Sequence, residues 1–254
     1  MVDIHCHILP QLDDGAKDLV TSQQMAAMAQ SDGITHIVAT PHSNYQYKFD
    51  AGVNAQKRDE LQQTIGGSPA ILLGCDFHLS FENLEDIRVN PERYTLNGKQ
   101  YLLVEFADIS IPPHMDQIFF DLLGRRLNPI ITHPERNPIL SRQPEQIRKW
   151  VDQGCFVQVT AASFLGRFGK QAEQLSHILV KHGLVHFIAT DAHNTISRPP
   201  VLSEAREALK TLYGEKLADA LTELNPRAAI EGRQLPWQPP TLPIKAKRWF
   251  SFGR

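Results

Sequence analysis

The stretch Asp3-Ile4-His5-Cys6-His7, followed closely by Asp13-Asp14-Gly15, decides how the rest of the chain is interpreted. Successive side chains of a β-strand point to opposite faces, so His5 and His7 share one face and Cys6 points to the other. Two imidazoles on one face at the end of a strand form half of a metal site. The chain then turns, and its two aspartates return toward the same point. The alternative is an amphipathic strand whose histidines are solvated.

Length and composition describe an ordinary globular protein with a full core. The chain has 254 residues, of which 42% are hydrophobic and 21% are charged, and its net charge is -2. That balance favours neither nucleic acid nor a membrane as a partner. Cys6, Cys75 and Cys155 are an odd set beside apolar runs, which indicates reduced intracellular thiols rather than disulfides. Since we recognise no signal peptide and no apolar run of membrane-spanning length, we expect a cytoplasmic protein without membrane insertion.

Short apolar runs alternate with longer amphipathic segments, a pattern typical of repeated β-α units around a parallel sheet. Seven runs are predicted as strands, near 2–6, 34–39, 70–73, 101–105, 128–132, 156–159 and 185–189. Helices are predicted near 17–31, 52–65, 113–125, 142–153, 169–182 and 201–213. No linker or internal repeat divides the chain. We therefore expect a single-domain α/β fold, a closed or nearly closed barrel, with an open doubly wound sheet as the alternative.

A further helix is predicted over 215–232, and a Pro-rich and basic tail follows it. We place the domain at 1–232 and the tail at 233–254. The tail contains Pro236-Trp237-Gln238-Pro239-Pro240 and a basic, aromatic segment at 245–250. One interpretation is a flexible terminus that covers some apolar surface. The other is a peptide that docks on a partner or on an anionic membrane face.

Imidazole and carboxylate side chains cluster where the predicted strands end. Residue types that bind metals close six of the seven runs: His5 and His7, His42, Asp76 and His78, Glu105, His133, and Asp191 and His193. Asp14 follows the first of these groups in a loop. In β-α barrels the active site is built at the C-terminal ends of the strands, whereas random placement would scatter such residues over helices and both ends. The sequence therefore predicts one convergent site.

This mixture of imidazoles and carboxylates suits borderline divalent ions such as zinc, manganese and iron(II). The set exceeds the needs of one ion, so we predict two or three ions, with a carboxylate such as Glu105 as a bridge. Ion clusters of this kind acidify bound water and clamp the attacking and leaving oxygens of phosphoryl displacement. Arg136 and Arg198, which follow the fifth and seventh strands, would add bidentate donors suited to a phosphate.

Jointly, these motifs resemble the PHP (polymerase and histidinol phosphatase) superfamily. The pattern is carried by His5-Cys6-His7, Thr40-Pro41-His42, Glu105, His133 and Asp191-Ala192-His193. Within the superfamily, four segments are similar to the bacterial tyrosine-protein phosphatases of capsule and exopolysaccharide loci: DIHCHILPQLDDGA at 3–16, ATPH at 39–42, THPERN at 132–137 and TDAHN at 190–194. The resemblance extends from residue 1 to about 232.

The resemblance implies a distorted (β/α)7 barrel with a trinuclear centre, most often manganese, with iron or zinc as alternatives. It implies that a metal-bound hydroxide attacks the phosphorus of phosphotyrosine. By this resemblance, one ion is held by His5, His7, Glu105 and Asp191, a second by Glu105, His42 and His133, and a third by Asp14, Asp76 and His193. Asp76 departs from the family pattern, which commonly has glutamate there, so the third site depends on a shorter side chain. Arg136 and Arg198 fall where the family binds substrate phosphate, and with Asp191 they form the predicted catalytic set.

Other polar and aromatic residues are given structural roles. Five histidines lie away from the strand ends and are predicted to pack or to face solvent: His36, His114, His177, His182 and His186. Asp13 is expected to support the loop of Asp14 or to cap the first helix. Glu135 is expected either to orient His133 or to pair with the neighbouring arginine. The aromatic residues at 45, 47 and 49 either form a wall for an aromatic substrate or close the barrel mouth.

Several mechanisms can be compared on the sequence. A thiol-based phosphatase needs an arginine six residues after its cysteine, but Leu12, Phe81 and Ala161 occupy those positions. A nuclease is disfavoured because no basic stripe runs along the chain. We predict a metal-dependent protein-tyrosine phosphatase that acts on the phosphotyrosine tail of a bacterial tyrosine autokinase controlling polysaccharide export. The alternatives are a small-molecule phosphomonoesterase such as a histidinol-phosphatase, and a metal-stabilised binding module without turnover. The oligomeric state stays open.

Overall fold

Parallel strands form where short apolar runs, rich in β-branched residues, are buried on both faces. The computed structural model describes residues 1–244. Within that range there are nine strands: β1 (Val2–Cys6), β2 (His36–Ala39), β3 (His42–Ser43), β4 (Ala70–Leu73), β5 (Asp76–His78), β6 (Tyr101–Glu105), β7 (Asn128–Thr132), β8 (Phe156–Thr160) and β9 (Phe187–Ala189). All paired strands are parallel, so their C-terminal ends lie at one edge.

Helices connect the strands and cover the sheets. They are α1 (Leu19–Ser31), α2 (Ala51–Ile65), α3 (Phe81–Asp86), α4 (Met115–Gly124), α5 (Pro144–Asp152), α6 (Ala161–Phe164), α7 (Lys170–Lys181), α8 (Ser203–Tyr213), α9 (Glu215–Asp219) and α10 (Asn225–Glu231). A π-helical turn, Ala220–Leu224, joins the last two. Asp18 begins α1 by accepting a hydrogen bond from the Thr21 N–H at 2.7 Å. Among residues 1–244, no helix has the length and apolar character needed to cross a membrane.

The strands form two sheets, in the orders β1-β2-β4 and β3-β5-β6-β7-β8-β9. Two short interruptions, at residues 40–41 and 74–75, separate β2 from β3 and β4 from β5. Pro41 has no N–H to donate to a strand ladder. Gly74 lies so close to the neighbouring strand that a Cβ would meet the Val38 side chain at 2.9 Å. Pro41 and Gly74 therefore lie in the interruptions that separate β2 from β3 and β4 from β5.

The outer edges of the two sheets also approach each other. Cys6 forms an isolated parallel bridge with Ala192, just beyond β9. The Asp191 N–H donates to the His5 carbonyl at 2.8 Å, and the His7 N–H donates to the Ala192 carbonyl at the same distance. The segment after β9 thus lies against the end of β1, and it brings a second ligand-bearing loop next to the first.

Both faces of the central strands are buried. In β6, Leu102 and Val104 belong to the larger apolar cluster, whereas Tyr101 and Leu103 belong to a smaller second cluster. Because side chains alternate along a strand, Glu105 continues the face of Tyr101 and Leu103. Its carboxylate therefore emerges at the C-terminal end of the strand, directly beyond an apolar layer.

The predicted mixed α/β fold is confirmed, and all seven predicted strands occur. Their number is corrected to nine within residues 1–244. His42 and Asp76 are predicted to close the second and third strands, but they lie in two separate short strands, β3 and β5. The reason is that Pro41 and Gly74 interrupt each strand only briefly, after which parallel pairing resumes.

Residues 233–244 of the predicted tail pack against the helices. The Trp237 N–H donates to Asn225 Oδ1 at 3.0 Å. The Leu242 N–H donates to the His182 carbonyl at 2.9 Å. Trp237 and Ile244 also pack against the larger apolar cluster, so this part of the tail covers apolar surface, as one of the two interpretations expects. The basic, aromatic segment at 245–250, on which the docking interpretation depends, lies outside the described residues.

Candidate metal centre

The nine predicted metal ligands lie at or just beyond the C-terminal ends of β1, β6, β7 and β9, and at the first residues of β3 and β5. The strands themselves carry His5, His42, Asp76 and Glu105, and the loops after β1, β7 and β9 carry His7, Asp14, His133, Asp191 and His193. His133 and Asp191 have positive φ values of 32° and 51°. Residues other than glycine adopt this region only when surrounding contacts hold them there. Both loops therefore turn sharply at a ligand position.

Three overlapping groups of side chains are compact enough to hold metal ions. They are His7, Asp14, His42 and His193; His5, His7 and Asp76; and His42, Asp76 and Glu105. Within each group the ligand atoms lie within 4.8 Å of one another. Asp14 Oδ1, for example, is 3.4 Å from Nε2 of both His42 and His193. The shared members make the three groups one continuous cluster of imidazoles and carboxylates.

Asp76 gives the clearest indication that a cation belongs here. Its side chain is completely buried, and neither carboxylate oxygen has a hydrogen-bond partner. Oδ2 lies 3.4 Å from His5 Nε2 and 3.3 Å from His42 Nδ1, without hydrogen-bond geometry. A buried carboxylate is costly unless a cation or a donor compensates it. The residues present therefore fit a divalent ion.

Glu105 and Asp191 each contact two imidazoles. Glu105 Oε2 is 3.2 Å from His42 Nδ1, and its Oε1 is 3.9 Å from His133 Nε2. Asp191 Oδ1 is 3.4 Å from Nε2 of both His5 and His7. A carboxylate placed between two imidazoles in this way can bridge neighbouring ions.

The structure brings the nine residues together in a grouping that differs from the one implied by the resemblance. Asp76 is predicted to join Asp14 and His193, but it contacts His5 and His42 instead. The physical reason is register. Asp76 pairs directly with His42 across β5 and β3. Its carboxylate also reaches His5 Nε2 on β1 at 3.4 Å, whereas Asp14 and His193 lie in the loops after β1 and β9.

The pKa values of the clustered histidines are shifted in opposite directions, because the neighbouring carboxylates raise them and burial lowers them. Burial would lower the pKa of His7, but the Asp13 carboxylate beside it raises that pKa to about 9. Burial also opposes protonation of His42, yet the three carboxylates around it hold its pKa well above the usual range. By contrast, burial and the nearby His7 lower the pKa of His193 to about 4. Metal binding would therefore displace protons chiefly from His7 and His42.

Two buried side chains behind the ligands orient imidazoles, and the sequence did not single out either of them for this role. Gln158 Oε1 accepts from His5 Nδ1 at 3.0 Å, and Asp13 Oδ2 accepts from His7 Nδ1 at 2.7 Å. Each contact leaves Nε2 free to face the cluster. Of the two expectations for Asp13, helix capping is wrong, because Asp18 caps α1. Support of the loop is observed, since the Gly15 N–H donates to Asp13 Oδ1 at 3.0 Å. In the sequence, a glutamine within the apolar run 156–159 was the feature that could have indicated a buried polar contact.

Asp3 is a further residue that sequence reasoning missed. Its buried carboxylate accepts from the Thr190 N–H at 2.9 Å and also from the Thr190 hydroxyl. Burial raises the pKa of Asp3 to about 6, although the bonds from Thr190 oppose that rise. The hydrogen bonds between Asp3 and Thr190 therefore connect β1 to the turn that contains Asp191.

Arg136 and Arg198 meet at one oxygen of Asp191. Both guanidinium groups donate to Oδ2, whereas Oδ1 faces the imidazoles. The Phe168 ring packs against both arginines, with its centroid 4.3 Å from Arg136 Cζ and 5.9 Å from Arg198 Cζ. Two partly exposed guanidinium groups at the rim of the cluster suit an anionic phosphate.

Neither predicted role of Glu135 is observed. Its buried carboxyl group accepts from the Thr160 N–H at 3.0 Å. Among residues 1–244 it makes no hydrogen bond or ion pair with His133 or Arg136. Burial raises the pKa of Glu135 to about 7, because the surrounding side chains exclude water.

The aromatic residues after β3 have separate positions. Tyr47 stacks on His42, with ring centroids 5.9 Å apart, so it lies beside the cluster. Phe49 stacks on Tyr94 instead, and Tyr45 is 96% exposed. The five histidines predicted to lie away from the strand ends are outside the three groups: His36, His114, His177, His182 and His186. His78 and His133 are outside these groups as well.

Comparison with known proteins gives concordant matches. Residues 1–231 match the family model for capsular polysaccharide synthesis, CpsB/CapC. The chain is 36% identical to tyrosine-protein phosphatase YwqE of Bacillus subtilis, over 99% of this chain and 100% of the relative. It is 34% identical to putative tyrosine-protein phosphatase CapC of Staphylococcus aureus, over 98% of this chain and 99% of the relative. A crystal structure from a study of YwqE and Streptococcus pneumoniae CpsB, described as unique metal-dependent tyrosine phosphatases, matches with a TM-score of 0.90 and 35% identity, over 97% of this chain and 100% of that chain.

Proposed function

The chain belongs to the CpsB/CapC family, and from this premise we propose that it is a metal-dependent protein-tyrosine phosphatase. It would hydrolyse phosphotyrosine in a protein by water attack, without a covalent phosphoenzyme. One observation carries the proposal: a buried imidazole and carboxylate cluster shares Asp191 with two arginines that face its rim. The tyrosine phosphatase relatives support the choice of substrate.

We propose that the cluster holds two or three divalent ions, with manganese as the preferred metal and iron or zinc as alternatives. The ligands would be His5, His7, Asp14, His42, Asp76, Glu105, His133, Asp191 and His193. When bound, the ions would acidify a water molecule and neutralise charge on the substrate phosphate. Gln158 and Asp13 would keep their imidazoles turned toward the ions.

The arginines would bind the phosphate of the substrate. Both already donate to Asp191 Oδ2, so a phosphate oxygen could replace that acceptor with a small movement of each guanidinium group. Phe168 would limit their motion by packing against both. Because the phenol of tyrosine has a pKa of about 10, its phenolate leaves without strong general-acid assistance. A phenolate leaving group therefore places little demand on a general acid, in agreement with phosphotyrosine as the substrate.

Further proposals concern architecture and biological context. We infer that the two sheets form one distorted (β/α)7 barrel over residues 1–232, with 233–254 as a tail. The parallel bridge between Cys6 and Ala192 supports closure, and a family match ending at residue 231 supports the boundary. The free, buried thiols of Cys6, Cys75 and Cys155 support a cytoplasmic location. The proposed physiological substrate is the phosphotyrosine tail of a bacterial tyrosine autokinase that regulates capsule or exopolysaccharide synthesis.

The proposal is tested by phosphate release from a phosphotyrosine peptide, a phosphoserine peptide and histidinol phosphate. Each is assayed with metal-stripped protein before and after refilling with Mn²⁺. Glu105→Ala removes a proposed ligand, and Glu60→Ala on the exposed face of α2 is the matched control. We expect metal-dependent release from phosphotyrosine that is lost only in Glu105→Ala. Preference for histidinol phosphate would make the protein a small-molecule phosphatase, and no turnover would favour a binding module.

A further inference from the structure

A cavity of about 320 Å³ lies next to Arg136 and outside the metal cluster. None of the nine proposed metal ligands lines it. Its walls include Arg136, Arg142 and Phe168, with Ser141 and Gln171 between them. Arg136 lines this cavity while its guanidinium group donates to Asp191. The cavity therefore adjoins the position proposed for the substrate phosphate.

The lining presents positive charge and polar groups. Arg142 is exposed at the rim, and among residues 1–244 its guanidinium group has no ion pair or hydrogen bond. The Gln171 amide donates to Ser141 Oγ at 3.2 Å, so a polar pair lies beside it. Glu135 is the one acidic residue of the lining, but it is only 2% exposed and accepts from the Thr160 N–H. An entering group thus meets Arg142 rather than a carboxylate.

Phe168 gives the cavity an apolar wall that leads back to the arginines. Its ring centroid is 4.3 Å from Arg136 Cζ. A peptide whose phosphotyrosine is held by Arg136 and Arg198 would continue past this ring. Since an extended chain advances about 3.3–3.6 Å per residue, a side chain one or two positions away reaches the cavity.

We propose that this cavity is a subsite for an anionic side chain close in sequence to the phosphotyrosine, and that Arg142 selects it. The inference rests on the proposed phosphatase function. A carboxylate of aspartate or glutamate and the phosphate of a second phosphotyrosine share the chemistry that Arg142 recognises. The site would thereby favour acidic or multiply phosphorylated segments over neutral or basic ones.

The test uses a set of peptides that each contain one phosphotyrosine flanked by alanines. In each variant peptide, glutamate, lysine or a second phosphotyrosine replaces one alanine on either side of the phosphotyrosine. kcat/KM is measured for the Mn²⁺-loaded wild type, for Arg142→Gln and for Arg142→Glu. Arg125→Gln is the matched control, because Arg125 is an equally exposed arginine at the C-terminal end of α4, outside the cavity. The second phosphotyrosine distinguishes a phosphate from a carboxylate as the preferred anion.

We expect glutamate at one position to raise kcat/KM about 3–5-fold over alanine, chiefly through KM, as for a partly exposed ion pair. The ratio of kcat/KM for the glutamate peptide to that for the alanine peptide should shrink with added salt and fall to near one in Arg142→Gln. In Arg142→Glu the lysine peptide should instead have the higher kcat/KM. It should persist in Arg125→Gln. Equal turnover of all peptides, or a glutamate preference that survives in Arg142→Gln, would overturn the subsite alone. No turnover of any phosphotyrosine peptide would overturn the phosphatase proposal and the subsite with it.

Discussion

Replacing Gln158 with leucine should weaken metal binding while leaving the fold nearly as stable. The Gln158 side chain is completely buried, and its Oε1 accepts from His5 Nδ1 at 3.0 Å. That bond holds His5 Nε2 at 3.4 Å from both Asp76 and Asp191. Gln158 Nε2 has no hydrogen-bond partner, so replacement by leucine removes one buried unpaired donor. The same replacement leaves His5 Nδ1 as a new buried donor without a partner. Each costs about 1–3 kcal/mol, so the free energy of unfolding should change little.

Metal affinity should fall because His5 would no longer be held in its ligating orientation. Loss of such an outer partner typically lowers affinity 10–100-fold, which corresponds to about 1.4–2.7 kcal/mol. Isothermal titration of Mn²⁺ into metal-stripped protein measures the affinity, and urea unfolding of the same samples measures stability. Gln62→Leu is the matched control, since Gln62 Oε1 accepts from the Ile71 N–H at 2.7 Å near the start of β4.

An Mn²⁺ affinity of Gln158→Leu within about twofold of the wild type would refute the orienting role of Gln158. Equal losses of affinity in Gln158→Leu and Gln62→Leu would also refute it. In that case, general loosening of the protein, and not the His5 contact, would weaken the site.

Three further predictions concern stability. Burial lowers the pKa of His186 to about 4, and its Nδ1 accepts from the Val157 N–H. Because this histidine binds a proton near pH 6.5 in the unfolded state, the free energy of unfolding measured in urea should fall by roughly 3 kcal/mol as the pH is lowered from about 6.5 to 4. His186→Gln should lack this pH-dependent loss. Asp32→Ala should cost about 1–2 kcal/mol in urea unfolding without changing turnover, since Asp32 accepts from the Leu202 and Ser203 N–H groups at the start of α8. Removing the metal ions should lower Tm by about 5–10 °C in calorimetry, because an ion at 100 times its Kd contributes about 2.7 kcal/mol.

Each of these stability predictions has a distinct contrary result. Equal pH dependence in the wild type and His186→Gln would show that His186 does not titrate on unfolding. An unchanged urea midpoint for Asp32→Ala would remove the capping role of Asp32. Superimposable melting curves with and without chelator would mean that the cluster does not bind ions under those conditions.

Much of the architecture follows from local pattern. Short apolar runs separated by amphipathic segments predict parallel strands and covering helices, and these occur close to the expected positions. The predicted strand number was wrong at two places, where a short interruption is followed by renewed parallel pairing. Pro41 lacks an N–H and Gly74 permits close approach of Val38, but the sequence does not reveal that pairing resumes at His42 and Asp76.

By itself, the sequence determined which residue types stand at the strand ends, because strand polarity and side-chain alternation are local properties. It therefore predicted that these imidazoles and carboxylates converge, and the structure brings seven of the nine predicted ligands into three compact groups, with the two arginines at Asp191. Only the tertiary structure decided which ligands are neighbours: strand register places Asp76 beside His42, and the approach of the two sheets brings its carboxylate to His5. It also decided that Gln158 supports His5 across 153 positions of the chain. Contacts between residues so far apart depend on how strands pair, and no local pattern encodes that pairing.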